Sequence, residues 1–248
     1  MTPRRRLMRP IAGLLALLVL AAGLPVRAED AAASAEQRRV EQIVHDYILQ
    51  HPEVLMQALE AAEAKEKAER NVSLLADKHG PLYSDPTSPV GGNPAGDVTI
   101  VEFFDYRCPY CKAVEPALEA LLREDGHIRI IYKEFPILGP ASVYAAEAAL
   151  AARKQGRYDT FHRAMMASRG TIDEAAVLRV AAAAGLDLQQ LKADMAAPDV
   201  AAVIKADYAL AQALDINGTP AFVIGNELIS GALDPAGLRA KVAAARNG

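Results

Sequence analysis

Val98-Thr99-Ile100-Val101-Glu102-Phe103-Phe104-Asp105-Tyr106-Arg107-Cys108-Pro109-Tyr110-Cys111 is the stretch on which the reading of this chain turns. Apart from Glu102, its first seven residues are β-branched or aromatic, and a run of that length predicts a buried strand. Pro109-Tyr110-Cys111-Lys112 then opens a helix that continues through Val114, Leu118, Leu121 and Leu122, because proline is accepted in a helix's first turn. Beyond it, His127 to Phe135, with Ile128, Ile130, Ile131 and Tyr132, predicts a second strand. The quoted stretch therefore heads a strand–helix–strand unit of an α/β fold.

The chain's two cysteines both lie in this stretch, one helical turn apart at a strand–helix junction. At a helix N-terminus, free N–H groups and the positive end of the helix dipole stabilise a thiolate, so the Cys108 pKa is expected in the range of roughly 3.5–7.5. Cys111, one turn further in, is better shielded. This assigns Cys108 as the attacking nucleophile and Cys111 as the thiol that resolves a mixed disulfide. A purely structural disulfide is a weak alternative, because closing a two-residue loop removes little chain entropy. A four-ligand zinc site lacks its other ligands, since His45, His51, His79, His127 and His162 are scattered, and no metal is expected. Copper(I) held by the two soft thiolates stays open as a minor reading.

Outward toward the N-terminus, Arg4, Arg5, Arg6 and Arg9 precede an apolar run from Ile11 to Leu24 that ends at Pro25-Val26-Arg27-Ala28. The run is shorter than the roughly twenty residues of a membrane span, and the pattern predicts a signal peptide over 1–28, cleaved after about Ala28. Arg4-Arg5-Arg6-Leu7-Met8 faintly resembles a twin-arginine export signal, and both Sec and Tat export stay open. Export implies an oxidising compartment, the periplasm in a Gram-negative source, where a close cysteine pair serves redox chemistry. Losing the arginines at 4, 5, 6, 9 and 27 takes the formal charge from −4 to −9. With no basic stripe, nucleic acid is excluded as a partner.

Residues 29–78 form a helical arm. Val40, Ile43, Val44, Tyr47 and Ile48 line one face, His51-Pro52 interrupts, and Val54, Leu55, Ala58, Leu59 and Ala62 form a second stripe. These stripes either dock on the following domain or meet copies of themselves. Residues 79–97, rich in glycine and proline, read as a linker or irregular lead-in. The remainder, 98–248, is one domain. Within it, about 139–214 is nearly all alanine-rich helix, with Thr171-x-x-Glu174 as a capping box and Gly185 as a stop. A hairpin follows, Ala221 to Ile224 and Glu227 to Ser230 around Gly225-Asn226, and then a helix from Pro235.

Val101 to Cys111, taken with Gly218-Thr219-Pro220, resembles the DsbA branch of the thioredoxin superfamily, and the arm with His51-Pro52-Glu53-Val54 is similar to ScsC (suppressor of copper sensitivity) and Com1-like proteins. The resemblance implies a thioredoxin fold with an inserted helical domain, preceded by an N-terminal helical arm. It implies that Thr219-Pro220 is the cis-proline loop beside the nucleophile, where backbone can pair with a substrate strand. Pro109, Tyr110 and Thr219 are then the substrate contacts. Glu102 matches the buried acid of the family, which takes the Cys111 proton during resolution, and Lys133 the lysine paired with it.

The dipeptide between the cysteines is Pro-Tyr and not the Pro-His of DsbA, so a less oxidising pair is expected. Thr219 before the proline also resembles periplasmic isomerases. The expected activity is thus a periplasmic thiol–disulfide oxidoreductase, a disulfide isomerase or reductase whose arm supports a homotrimer. The alternatives are a monomeric DsbA-like dithiol oxidase and, from another class, a copper(I)-binding or chaperone protein. No cofactor is expected beyond a redox-active Cys108–Cys111 disulfide. The expected partners are proteins bearing thiols or disulfides and a membrane or periplasmic redox protein.

Overall fold

A computed structural model describes residues 25–247, with side chains from Ser34 onward. Most of the expected signal peptide, residues 1–24, lies outside the described residues. The chain divides into two compact units, one ending at Ala64 and the other beginning at Lys65. The division falls within a helix, upstream of the boundary at 78 read from the sequence.

The first unit contains α1 (Pro25–Gln50) and the beginning of α2 (Pro52–Asp77). His51 separates the two helices, yet its N–H donates to Tyr47 O (2.8 Å) and its carbonyl accepts from Val54 N–H (3.1 Å). The interruption is therefore one residue long, as expected where proline is tolerated at the start of a helix. Val40, Ile43, Val44, Tyr47, Val54, Leu55 and Leu59 are all exposed.

The second unit continues with α3 (His79–Tyr83), β1 (Val90–Gly92), β2 (Val98–Phe104), α4 (Pro109–Glu124) and β3 (Ile128–Glu134). Then come α5 (Pro140–Lys154), α6 (Tyr158–Ala167), α7 (Glu174–Ala183), α8 (Leu188–Met195) and α9 (Pro198–Ala213), followed by β4 (Ala221–Ile224), β5 (Glu227–Ser230) and α10 (Pro235–Asn247). The sheet order is β1-β3-β2-β4-β5, with β2 and β3 parallel and the other pairs antiparallel. This is the thioredoxin-like α/β fold, with five helices between β3 and β4.

Both central strands are buried on both faces, which explains their nearly continuous apolar sequence. The period-2 alternation sorts their side chains. Ile100, Phe104, Ile130 and Tyr132 join the core formed with α4 and the inserted helices. Val101, Phe103 and Ile131 join Leu75, Leu82 and Leu210 on the opposite face.

Residues 79–97 are fastened to the sheet. Val90 and Gly92 pair with Ile131 and Arg129, and Arg153 donates to the carbonyls of Pro86 and Thr87. At Gly92, φ is +64° and an added Cβ would lie 2.5 Å from Ile128 O, so glycine at this position reflects close approach to β3.

The cap of α7 differs from the expected Thr171 box. Asp173 is the N-cap and accepts from Ala176 N–H at 2.7 Å, placing Glu174 at the first helical position. Its short carboxylate reaches the free N–H directly, so no Thr171 contact is needed. Asp173→Ala is expected to lower stability by about 1 kcal/mol in chemical denaturation. An unchanged midpoint would argue against the cap.

Candidate active site

Cys108 is the N-cap of α4, and its carbonyl accepts from Lys112 N–H at 3.2 Å. Strand β2 delivers the chain to the C-terminal edge of the sheet. There Asp105 makes the turn, its carbonyl accepting from Cys108 N–H (3.0 Å) and its carboxylate from Arg107 N–H (2.7 Å). Both cysteines are free thiols. The Cys108 Sγ lies 3.2 Å from Thr219 O, and the Thr219–Pro220 peptide is cis.

The two sulfurs are electrostatically unlike. A hydrogen bond from Cys111 is the largest influence on Cys108 and, with bonds from the Thr219 side chain and the Cys111 and Tyr110 N–H groups, draws its pKa down to about 5 against the opposing effect of burial. Cys111 is driven in the opposite direction, by that same bond to Cys108, by burial and by the charge of Glu102. Cys111 is fully buried, whereas Pro109 and Tyr110 are exposed, Tyr110 at 66%.

Glu102 lies in β2 with no exposed surface, and neither carboxylate oxygen has a hydrogen-bond partner. Burial, and secondarily the charge of Glu115, pushes its pKa well above the ordinary carboxylate range. A buried acid of this kind is poised to hold a proton.

A DSBA-like thioredoxin domain matches residues 99–243. The chain belongs to the DsbA-like family. The copper resistance protein ScsC N-terminal domain matches residues 36–69. Among solved structures, a thioredoxin-like oxidoreductase from Silicibacter pomeroyi DSS-3 is 48% identical with a TM-score of 0.67, covering 68% of this chain and 98% of that one. The catalytic domain of Proteus mirabilis ScsC is 28% identical with a TM-score of 0.66, covering 71% and 99%. The Na(+)/H(+) antiporter NhaA 1 of Salinispora arenicola is 33% identical over 158 residues, which are 63% of this chain and 24% of the antiporter. The chain thus spans about a quarter of that curated relative, and no described helix is long and apolar enough to cross a membrane.

In this DsbA-like domain Lys133 does not pair with Glu102. The parallel register sets Glu102 beside Tyr132 and Phe103 beside Lys133, so the two side chains project from opposite faces of the sheet. Lys133 Nζ instead meets Ser88 Oγ (2.6 Å), Asp207 Oδ1 (3.2 Å) and Asp85 Oδ2 (3.4 Å). Its structural consequence is to hold the lead-in and α9 against β3. The other residues singled out in the sequence, Cys108, Cys111, Pro109, Tyr110, Thr219, Pro220 and Glu102, gather around the N-terminus of α4 and the strand beneath it.

Sequence reasoning missed the surroundings of Glu102. Glu115 is buried on α4, its Oε1 3.6 Å from His162 Nε2. His162 is boxed by Phe104, Tyr106, Tyr132 and Tyr158, and its Nδ1 lies 3.1 Å from Tyr106 Oη. The available signal was positional, since Glu115 follows Cys111 by four residues and therefore shares its face of the helix. Beside α4, a groove of about 640 Å³ lies between Ala113, Pro116, Ala117 and the loop of Leu233 and Pro235. Among the described residues, no group of three or more His, Cys, Asp or Glu could hold a metal ion.

Proposed function

We propose that this chain is a thiol–disulfide oxidoreductase of protein substrates, acting as a disulfide isomerase or reductase in the periplasm. The observation that carries the reading is the contrast between two buried sulfurs: Cys108, 4% exposed at the start of α4, has its pKa drawn to about 5, whereas Cys111, with no exposed surface, is driven the other way. The Cys108 thiolate attacks one sulfur of a client disulfide. That S–S bond breaks, the other client sulfur leaves as a thiolate, and a mixed disulfide forms at Cys108.

Two exits follow. The departing client thiolate can attack a different client disulfide, and a later client thiolate displaces Cys108, which completes an isomerisation. Alternatively the ionised form of Glu102 takes the Cys111 proton and the Cys111 thiolate attacks Cys108 Sγ, forming the Cys108–Cys111 disulfide and releasing the client sulfur as a thiolate, which is a reduction. A redox partner carrying a dithiol then reduces the pair again. Exposed Tyr110 and the groove along α4 offer apolar surface to unfolded clients.

The arm supports assembly. Its exposed stripes, Val40 through Leu59, are surface that a homotrimer would bury, and several active sites in one assembly raise the effective concentration for repeated attack. One observation favours the second reading, a dithiol oxidase: stabilising the Cys108 thiolate stabilises the reduced form and makes the disulfide more oxidising. The deciding experiment compares reactivation of scrambled ribonuclease with oxidation of a reduced dithiol peptide. The isomerase reading predicts efficient reactivation in a reducing glutathione buffer and slow peptide oxidation. The opposite pair of rates replaces it with the oxidase.

Glu102→Gln should leave formation of the mixed disulfide intact and slow its resolution by about 100-fold or more, since general-base transfer contributes roughly 10²- to 10⁴-fold. Single-turnover quenching that shows no accumulation would remove Glu102 from the mechanism.

A further inference from the structure

A second groove, of about 700 Å³, opens on the same edge of the sheet as Cys108. Because β2 and β3 are parallel, the loops that follow them emerge together. One leads to Cys108, the other to Gly139 and α5. A single side chain ties them, as the Asp105 carboxylate accepts from Arg107 N–H at 2.7 Å and from Leu138 N–H at 2.9 Å. Arg107 Nη1 also donates to Leu138 O. The lip of this groove is thus held in fixed relation to the residue preceding Cys108.

The lining combines two properties. Ile137, Val143 and Tyr144 give it an apolar wall, while Glu147, Asp173 and Glu174 are its charged members and no lysine or arginine lines it. The rigid side is Tyr208, whose hydroxyl donates to Pro136 O at 2.6 Å. The groove along α4 differs, because Asp234 and Arg239 offset one another there. Of the two grooves, the one beyond Leu138 has charged lining residues of a single sign, with the Arg107 guanidinium at its lip turned to Leu138 O.

We propose that this groove receives a cationic segment with an apolar residue, lying next to the reactive cysteine of an unfolded client. The inference rests on the thiol-exchange reading for its purpose and names the client chemistry that reading leaves open. An apolar side chain seats against Tyr144 and Val143, and lysine or arginine on either side meets Glu147 and Glu174. Acidic clients lose that attraction and meet like charge.

Docking is measured apart from thiol chemistry with two labelled, cysteine-free ten-residue peptides, one centred on Lys-Leu-Lys and one on Glu-Leu-Glu, titrated with the full chain by fluorescence anisotropy. The basic peptide should bind about tenfold more tightly at low ionic strength, with the difference shrinking in 0.5 M salt as screening shortens to a few ångströms. Glu147→Lys combined with Glu174→Lys should reverse the preference. Lysine in the first turn of α7 opposes the helix dipole, so Glu147→Gln with Glu174→Gln provides a second variant, expected to bind the two peptides equally. Equal affinity of the wild type for both peptides, absence of binding, or a basic preference that survives in both variants overturns the proposal. Because the peptides carry no cysteine, their outcome is independent of whether thiol exchange itself proves correct.

Discussion

Cys108→Ser is expected to lower insulin-reduction activity by more than about a thousandfold, whereas Cys111→Ser should retain the first attack and accumulate mixed disulfides. The asymmetry follows from the positions of the two sulfurs. Cys108 receives hydrogen bonds from Cys111, Thr219 and the α4 backbone, and a serine hydroxyl in that place is not ionised near neutral pH. Cys111 is buried and its thiol proton is firmly held, so it is not the sulfur that makes the first attack. Mass spectrometry of acid-quenched reactions reads the trapped adduct. Equal loss in both variants, with no adduct in Cys111→Ser, would falsify the division of labour.

Removal of the arm is the second large effect. A chain lacking residues 29–64 should run as a monomer in light scattering, against three copies for the chain that keeps them. Its reactivation of scrambled ribonuclease should fall by about tenfold or more. The cut belongs at 64, because Leu75 on the continuation of α2 is only 4% exposed and packs with Leu82 and Phe103. Deleting through residue 78 would open the second core, since losing a buried leucine costs about 2–5 kcal/mol. Monomeric mass for both chains removes the assembly and leaves the dithiol oxidase as the better reading.

The strand before Cys108, the helix after it and the hairpin at Gly225-Asn226 were legible in the sequence because each depends on local signals. These are a β-branched run, a proline in the first turn and a turn dipeptide. Lys133 was misread because its role depends on strand register. Without the pairing of Phe103 with Lys133, nothing in the sequence puts Glu102 and Lys133 on opposite faces. Within residues 79–97, Gly92 and Gly96 lie against the backbone at the start of β3, and composition alone does not distinguish that use of glycine from a mobile linker. Glu115 on α4 and His162 on α6 are separated by β3 and α5, so their meeting is purely tertiary.

Acidity offers the most direct approach to the chemistry. The Cys108 pKa in the folded, reduced protein is depressed relative to an unfolded thiol. Its contribution to stability is therefore fully present above the ordinary thiol range, about pH 8.5, and is lost as pH falls through about 5. Cys111 ionises far above that range and does not interfere. The decisive measurement is thiolate absorbance at 240 nm in the reduced wild type from pH 3 to 9, with Cys108→Ser as the blank. A single transition centred near pH 5, absent from the blank, is the predicted result. A transition near pH 8.5, or one that persists without Cys108, would contradict thiol exchange initiated by a preformed Cys108 thiolate.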